Sequence, residues 1–189
     1  MGNEGFPRAY RTPKRDRPLS VIHVRAAAGR PTEGWLVAGP QIVPVSLGRS
    51  GIKANKFEGD GGTPKGTFYP VRLWWRADRH SRPRTHLPVR AIRPSDAWSE
   101  DPDDRHYNRA ITRNLNESGD ALMRDDHLYD FIIEIDHNTR PRIAHRGSAV
   151  FVHLARENFS PTAGCVGLTR SAMLRLLARI GPATKIVIG

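Results

Sequence analysis

The chain is expected to fold as a mainly β domain, a sandwich or barrel-like pair of sheets with one main helix near its end. Three observations carry that expectation. The run "LSVIHVRA" alternates apolar and polar residues, the period of a half-buried strand, and further short runs bounded by turns read as strands. The 189 residues include 17 Gly and 15 Pro, a density of chain breakers that favours short elements joined by turns. One stretch, "TRSAMLRLLARIG", keeps a clear helical spacing.

The elements follow in order. Residues 1–17 are basic with no apolar run behind them, so they read as a flexible tail and not as a recognisable secretory signal. "LSVIHVRA" alternates as a first strand, and "GWLVAG" and "QIVPVSLG" are two more, joined through a Gly-Pro turn. "GRSGIKANKFEGDGGTPKGTF" has no helical period and is expected to be an extended, turn-rich loop, followed by "TFYPVRLWW", a strand with aromatic mass. Residues 76–127 are rich in Arg, His, Asp and Pro, too long for a plain connection. Trp98, Tyr107 and Leu115 argue against disorder there. The segment reads as a lid or cap inserted between strands, with a short helix around "ESGDALMR" capped by Ser118.

"LYDFIIEIDHN" is a strand whose last two residues begin a turn, and "SAVFVHLA" is a strand ending near His153. In the helix, Met173, Leu174, Leu177 and Ile180 share one face, Thr169 or Ser171 caps the start, and Gly181-Pro182 ends it. "TKIVIG" closes as the last strand. The sum is about eight strands and one helix in a single domain over residues 18–189.

The net charge of +11, from 30 Lys+Arg against 19 Asp+Glu, predicts attraction to polyanions: nucleic acid, an anionic wall polymer or an acidic peptide. The basic residues are scattered, with no zinc-finger spacing and no aromatic ribonucleoprotein motif, so nucleic-acid binding is not the expected main role. No apolar run reaches the roughly 18 residues of a membrane span. His80, His86, His106, His127, His137 and His145 lack metal-ligand spacing; neither a metal site nor a cofactor is expected. Oligomeric state is not legible.

The lone cysteine, Cys165, lies in "FSPTAGCVGLTR" and can form no internal disulfide. A reactive cysteine needs a base for its proton and donors for the oxyanion that forms on attack. His153 stands twelve residues upstream, and the loop "LARENFSPTAG" can fold back to bring the two together. Gly164 leaves room at the sulfur, the N–H groups of Gly164 and Cys165 are candidate oxyanion donors, and the positive end of the following helix would favour a thiolate. These residues alone leave open a buried core thiol beside a structural histidine.

The full wording of "GSAVFVHLARENFSPTAGCVGL" resembles the signature of the L,D-transpeptidase catalytic domain, the YkuD-type fold. There a His closes a strand and a loop leads to a Ser/Thr-x-Gly-Cys run carrying the nucleophile, matched here by His153 and by Thr162, Ala163, Gly164 and Cys165. "VSLGRSGI", "EGDGGTPKGTF", "YNR" and "GSAVFVH" are similar to segments found in this order in a proteobacterial branch, so the resemblance covers most of residues 18–189. Two departures stand out: Ala163 replaces the usual second His, and Gly167 replaces the usual Arg or Asn two places after the Cys. Arg146, Arg156 and Arg170 are candidates to supply positive charge instead, Ser148, Thr162 and Tyr107 are candidates to line the cleft, and Thr63, Pro64 and Gly66 read as scaffold.

The resemblance implies peptidoglycan stem peptides as partners and a cell-envelope location. It implies a Cys165 thioester formed at a diaminopimelate donor and passed to an amine, of diaminopimelate or of L-alanine. Water as acceptor would give a carboxypeptidase, and a free D-amino acid would give exchange. The alternatives are a wall amidase of the same fold, or a non-catalytic wall- or polyanion-binding module with an inert Cys165.

Overall fold

The computed structural model describes residues 17–113 and 119–189; all but Arg17 of the basic tail, and Leu115 and Ser118 of the expected lid, lie outside them. The described chain is mainly β with a single helix. Its strands are β1 (Val21–Ala27), β2 (Arg30–Ala38), β3 (Gln41–Ser46), β4 (Ile52–Lys53), β5 (Thr63–Pro64), β6 (Gly66–Phe68), β7 (Pro70–Trp75) and β8 (Val89–Ala91). They continue with β9 (Asp96–Ser99), β10 (Arg109–Thr112), β11 (Asp120–Ala121), β12 (Phe131–Ile135), β13 (Phe151–Leu154), β14 (Val166–Leu168) and, after helix α1 (Arg170–Leu177), β15 (Lys185–Ile188). The count exceeds the expected eight because β4, β5, β6, β8, β10 and β11 are two to four residues long, too short for a period to show in sequence.

Ten strands make one mixed sheet in the order β6-β15-β1-β2-β3-β14-β13-β12-β7-β8. Alternation decides which way each residue faces. Ile22 and Val24, Leu36, Val43 and Val45, Leu73, Ile133, Val152 and Leu154, and Val166 and Leu168 join one buried cluster with Met173, Leu176 and Leu177 of α1. Residues from strands along both halves of the sheet meet in that cluster, so the sheet wraps around a single core. Each such side chain contributes about 1.5–3 kcal/mol by leaving water. Thr169 caps α1, accepting from the Ala172 N–H at 3.2 Å. The helix stops at Leu177, ahead of the expected Gly181-Pro182, and Leu174 is 37% exposed where the core face was expected; Ile180 is buried but lies beyond the last turn.

The middle strands are also buried on their other face. Trp74, Ile132, Phe151 and Cys165, each adjacent in sequence to a core residue, join a second cluster with Ile92, Trp98 and Leu122. Those last three come from residues 76–127. The described part of that segment is not irregular. β8 extends the main sheet beside β7, and from Ile92 onward the chain builds a separate three-stranded sheet, β10-β9-β11. The helix expected around residues 117–124 is absent among the described residues; Asp120 and Ala121 pair instead with Trp98 and Ala97 of β9. Trp98 meets Phe151 edge-on at 4.9 Å, one of the contacts by which this small sheet sits on the large one.

Candidate active site

β13 and β14 run parallel, with Val152 opposite Val166 and His153 opposite Gly167. Cys165 therefore sits opposite Phe151 on the outer face, and His153, two residues further, shares that face. A diagonal step on a sheet is about 7 Å between backbone positions, which an imidazole and a thiol can bridge. Both line a cavity of about 540 Å³ with Ser46, Arg49, Lys56 and Glu58 on one side and Glu100, Asp120 and Tyr129 on another.

The sulfur is held by backbone. The Phe151 N–H points to Sγ at 3.4 Å, and the thiol donates to the Ala149 carbonyl at 3.2 Å. Burial pushes the thiol up to about 12, against the Phe151 N–H, which lowers it; Asp120 and Glu100 push it higher. His153 is buried too, and burial brings its imidazole down to about 4. Its Nδ1–H donates to the Leu154 carbonyl at 2.8 Å, which selects the tautomer with Nε2 as the basic nitrogen. The Tyr129 ring lies edge-on to the imidazole at 5.3 Å. The resting pair is thus a neutral thiol and a neutral imidazole. The helix end does not convert it to a thiolate: β14 separates Cys165 from α1, and Thr169 already takes an N–H of its first turn.

The loop before the cysteine is pinned on several sides. Thr162 lines the cavity; its Oγ1 donates to the Cys165 carbonyl at 2.7 Å and accepts from the Gly164 N–H at 3.1 Å, so the hydroxyl braces the loop. The Gly164 N–H, an expected oxyanion donor, reaches an oxyanion only by giving up that bond. Gly164 has φ +145 and a Cβ there would lie 2.9 Å from the Gly62 carbonyl oxygen, so only glycine fits. Thr63, expected as scaffold, accepts from the Gly48 N–H at 2.8 Å and lies 3.5 Å from the Cys165 carbonyl, which ties the glycine-rich loop to the nucleophile. Asp60 sets that loop's shape. Burial works to raise its carboxyl, but the Lys56 ammonium at 2.7 Å and the N–H groups of Phe57 and Gly62 prevail and bring it down to about 2.

Not every residue singled out in the sequence reaches the cavity. Ser148 and Arg156 line it, and among the described residues no hydrogen bond or ion pair occupies the Arg156 guanidinium. Arg146 lies over the Phe57 ring at 4.8 Å, and Arg170 approaches His80 at 3.3 Å in a separate hollow. Tyr107 is buried behind the wall, where its hydroxyl donates to Glu58. The sequence reading missed Asn108. Its Oδ1 accepts from Trp98 Nε1 at 3.0 Å and from the Ala149 N–H at 3.2 Å, while Nδ2 donates to the His137 and Asn138 carbonyls. Asn108 thereby ties the small sheet to the residue whose carbonyl receives the thiol. The available signal was "YNR", quoted above for its likeness and given no role.

The L,D-transpeptidase catalytic-domain family model, YkuD, matches residues 24–188. No curated protein and no solved structure matches the chain. The family match spans most of the sequence, so the chain belongs to the L,D-transpeptidase catalytic-domain family.

Proposed function

We propose, with membership of the L,D-transpeptidase family as the premise, that the chain cross-links peptidoglycan stem peptides through a thioester on Cys165. The observation that carries this reading is the pairing of Cys165 with His153 on one face of adjacent strands, at the base of a cavity, with Nδ1 of His153 tied to the Leu154 carbonyl. That tie leaves Nε2 to take the thiol proton.

Because both groups rest neutral, proton transfer accompanies attack. Cys165 Sγ adds to the carbonyl carbon between diaminopimelate and the terminal D-alanine as its proton passes to His153 Nε2. The oxyanion is met by the Cys165 N–H, joined by that of Gly164 once Thr162 releases it. The C–N bond breaks, the D-alanine nitrogen takes the proton from His153, and a thioester remains. An amine then displaces sulfur to give the cross-link; water gives carboxypeptidase activity and a free D-amino acid gives exchange. Arg156, exposed at the cavity, receives a stem-peptide carboxylate, and Ser148 lies beside the acyl group. The layer from Ile92 to Leu122 acts as the lid, with acceptor choice between a diaminopimelate and an L-alanine amine made at its edge. On this reading the protein works in the cell envelope.

The buried, high-pKa thiol is also what an inert binding module would show. Mass analysis of muropeptides after incubation with the purified protein decides. Loss of D-alanine with new dimers is expected. Unchanged tetrapeptides would leave the binding module, and cleavage of a wall bond other than the one to the terminal D-alanine would leave the amidase.

A further inference from the structure

The inserted layer brings to the cavity two carboxylates that acylation does not use. Glu100 follows β9 and Asp120 opens β11, which pairs with β9, so the small sheet presents both along one edge. Asp120 is engaged: it accepts from the Tyr129 hydroxyl at 2.8 Å and lies 3.7 Å from Arg124. Glu58, from the glycine-rich loop, is engaged with Tyr107. Glu100 has no hydrogen bond or ion pair among the described residues. It stands at the exposed rim, and its carboxyl is pushed up to about 7, first by the atoms crowding it and then by repulsion from Asp120 and Glu58.

These charges oppose the first half of the reaction. Asp120 and Glu100 both raise the Cys165 thiol and so work against the anionic sulfur needed for attack. They suit the second half, in which a cation must be drawn to the thioester. A second observation shows polar contacts still to be made in the same cavity. Ser46 Oγ, on the opposite wall, is fully buried without a partner. Ser46, Gly167 and His153 form one cross-strand row, and the missing side chain of Gly167 keeps the row open; a Cβ there would lie 2.3 Å from Ser46 Oγ. The unusual glycine two places after the cysteine is thus required by the serine beside it.

We infer that Glu100 is the acceptor-recognition residue: it seats a primary ammonium group of the incoming stem peptide, Asp120 adds negative charge behind it, and Ser46 supplies a polar contact on the facing wall. This rests on the transpeptidase reading. The protons balance as follows. The ammonium gives one proton to the Glu100 carboxylate, and the neutral nitrogen adds to the thioester carbonyl carbon. The nitrogen loses a second proton to His153 Nε2, the C–S bond breaks, and the leaving sulfur takes that proton back as a thiol. The third hydrogen stays on the new amide, and Glu100 releases its proton to solvent.

The test is the fate of the acyl-enzyme in wild type, Glu100→Gln and Glu100→Asp. The donor is a disaccharide-tetrapeptide ending in D-alanine, and two probe nucleophiles compete with water: L-alaninamide, cationic at neutral pH, and hydroxylamine, uncharged there. In E100Q, capture by L-alaninamide relative to hydrolysis should fall about tenfold or more, as expected for losing a bond to a charged group. Capture by hydroxylamine should hold within about twofold, acylation should be no slower, and E100D should recover part of the loss. Unchanged L-alaninamide capture, or an equal fall for both nucleophiles, overturns the inference and leaves the transpeptidase reading standing. Failure of the donor to acylate wild type overturns both.

Discussion

The two faces of β13 carry different chemistry. On the inner face, Val152 and Leu154 join aliphatic side chains from neighbouring strands and from α1. On the outer face, Phe151 and His153 meet Trp98, Tyr129 and Cys165, and polar atoms are fixed singly: Sγ on Ala149, Nδ1 on Leu154, Ala149 on Asn108. The inner face stabilises by area, which tolerates substitutions that keep volume. The outer face buries groups that rest neutral and, in the proposed mechanism, exchange a proton on demand, so it depends on particular partners. In that mechanism, stability and reactivity are separated by the thickness of one sheet.

That separation can be broken at several points, beginning with the largest effect. Cys165→Ala should abolish acylation and turnover, while thermal unfolding shows a loss of only about 1 kcal/mol, since one small side chain replaces another. Retained cross-linking in this variant would end the nucleophile assignment. His153→Gln should slow acylation about 10²–10⁴-fold, the usual contribution of a general base, in stopped-flow or mass-resolved time courses. Trp98→Ala should cost about 3–5 kcal/mol in denaturant unfolding and should also impair acylation, because Asn108 loses its partner and Ala149 its brace. Leu177→Ala should cost a comparable 2–5 kcal/mol or so and leave acylation per folded molecule unchanged. Equal loss of chemistry in both variants would erase the distinction between the faces.

The most gradual effect is a pH dependence. His153 titrates near 4 folded, below the ordinary 6.5, so between these values the unfolded chain binds a proton that the folded chain does not. Stability from this group is complete above about 6.5 and falls as pH drops toward 4, by roughly 3 kcal/mol in total. Glu100 works the other way over an overlapping range, since its folded value of about 7 lies above its ordinary 4.5. The difference between wild type and His153→Gln unfolding curves isolates the histidine, and it should shrink on acidification. A constant difference would mean the imidazole is not held neutral.

Much of this fold was legible because alternation survives in "VIHVRAA", because "QIVPVS" and "FIIEI" are apolar runs of strand length, and because Thr169 and the spacing of Met173 and Leu177 announce α1. Leu174 misled because a helical face is wider than the stripe that is buried. The inserted layer was illegible: its strands are short, and what holds them is a few scattered apolar residues, Ile92, Trp98 and Leu122, with the hydrogen bonds of Asn108. For the candidate site, Cys165 and His153 could be named from wording, but basic residues could not be sorted. Gly147 at φ +92 and Ala149 at φ +49 turn the chain so that Ser148 lines the cavity while Arg146 lies over Phe57. Nothing in the sequence marks such a turn. Glu100 escaped notice because an exposed acid after a strand looks like any other.

The measurement that bears most directly on the account is intact mass combined with peptide mapping after exposure to a carbapenem, whose strained amide stands in for the acyl donor. The expected result is one drug per chain, mapped to Cys165, absent from Cys165→Ser and formed far more slowly in His153→Gln. No adduct, an adduct on another residue, or one that persists in Cys165→Ser would contradict the claim that this buried thiol is the nucleophile.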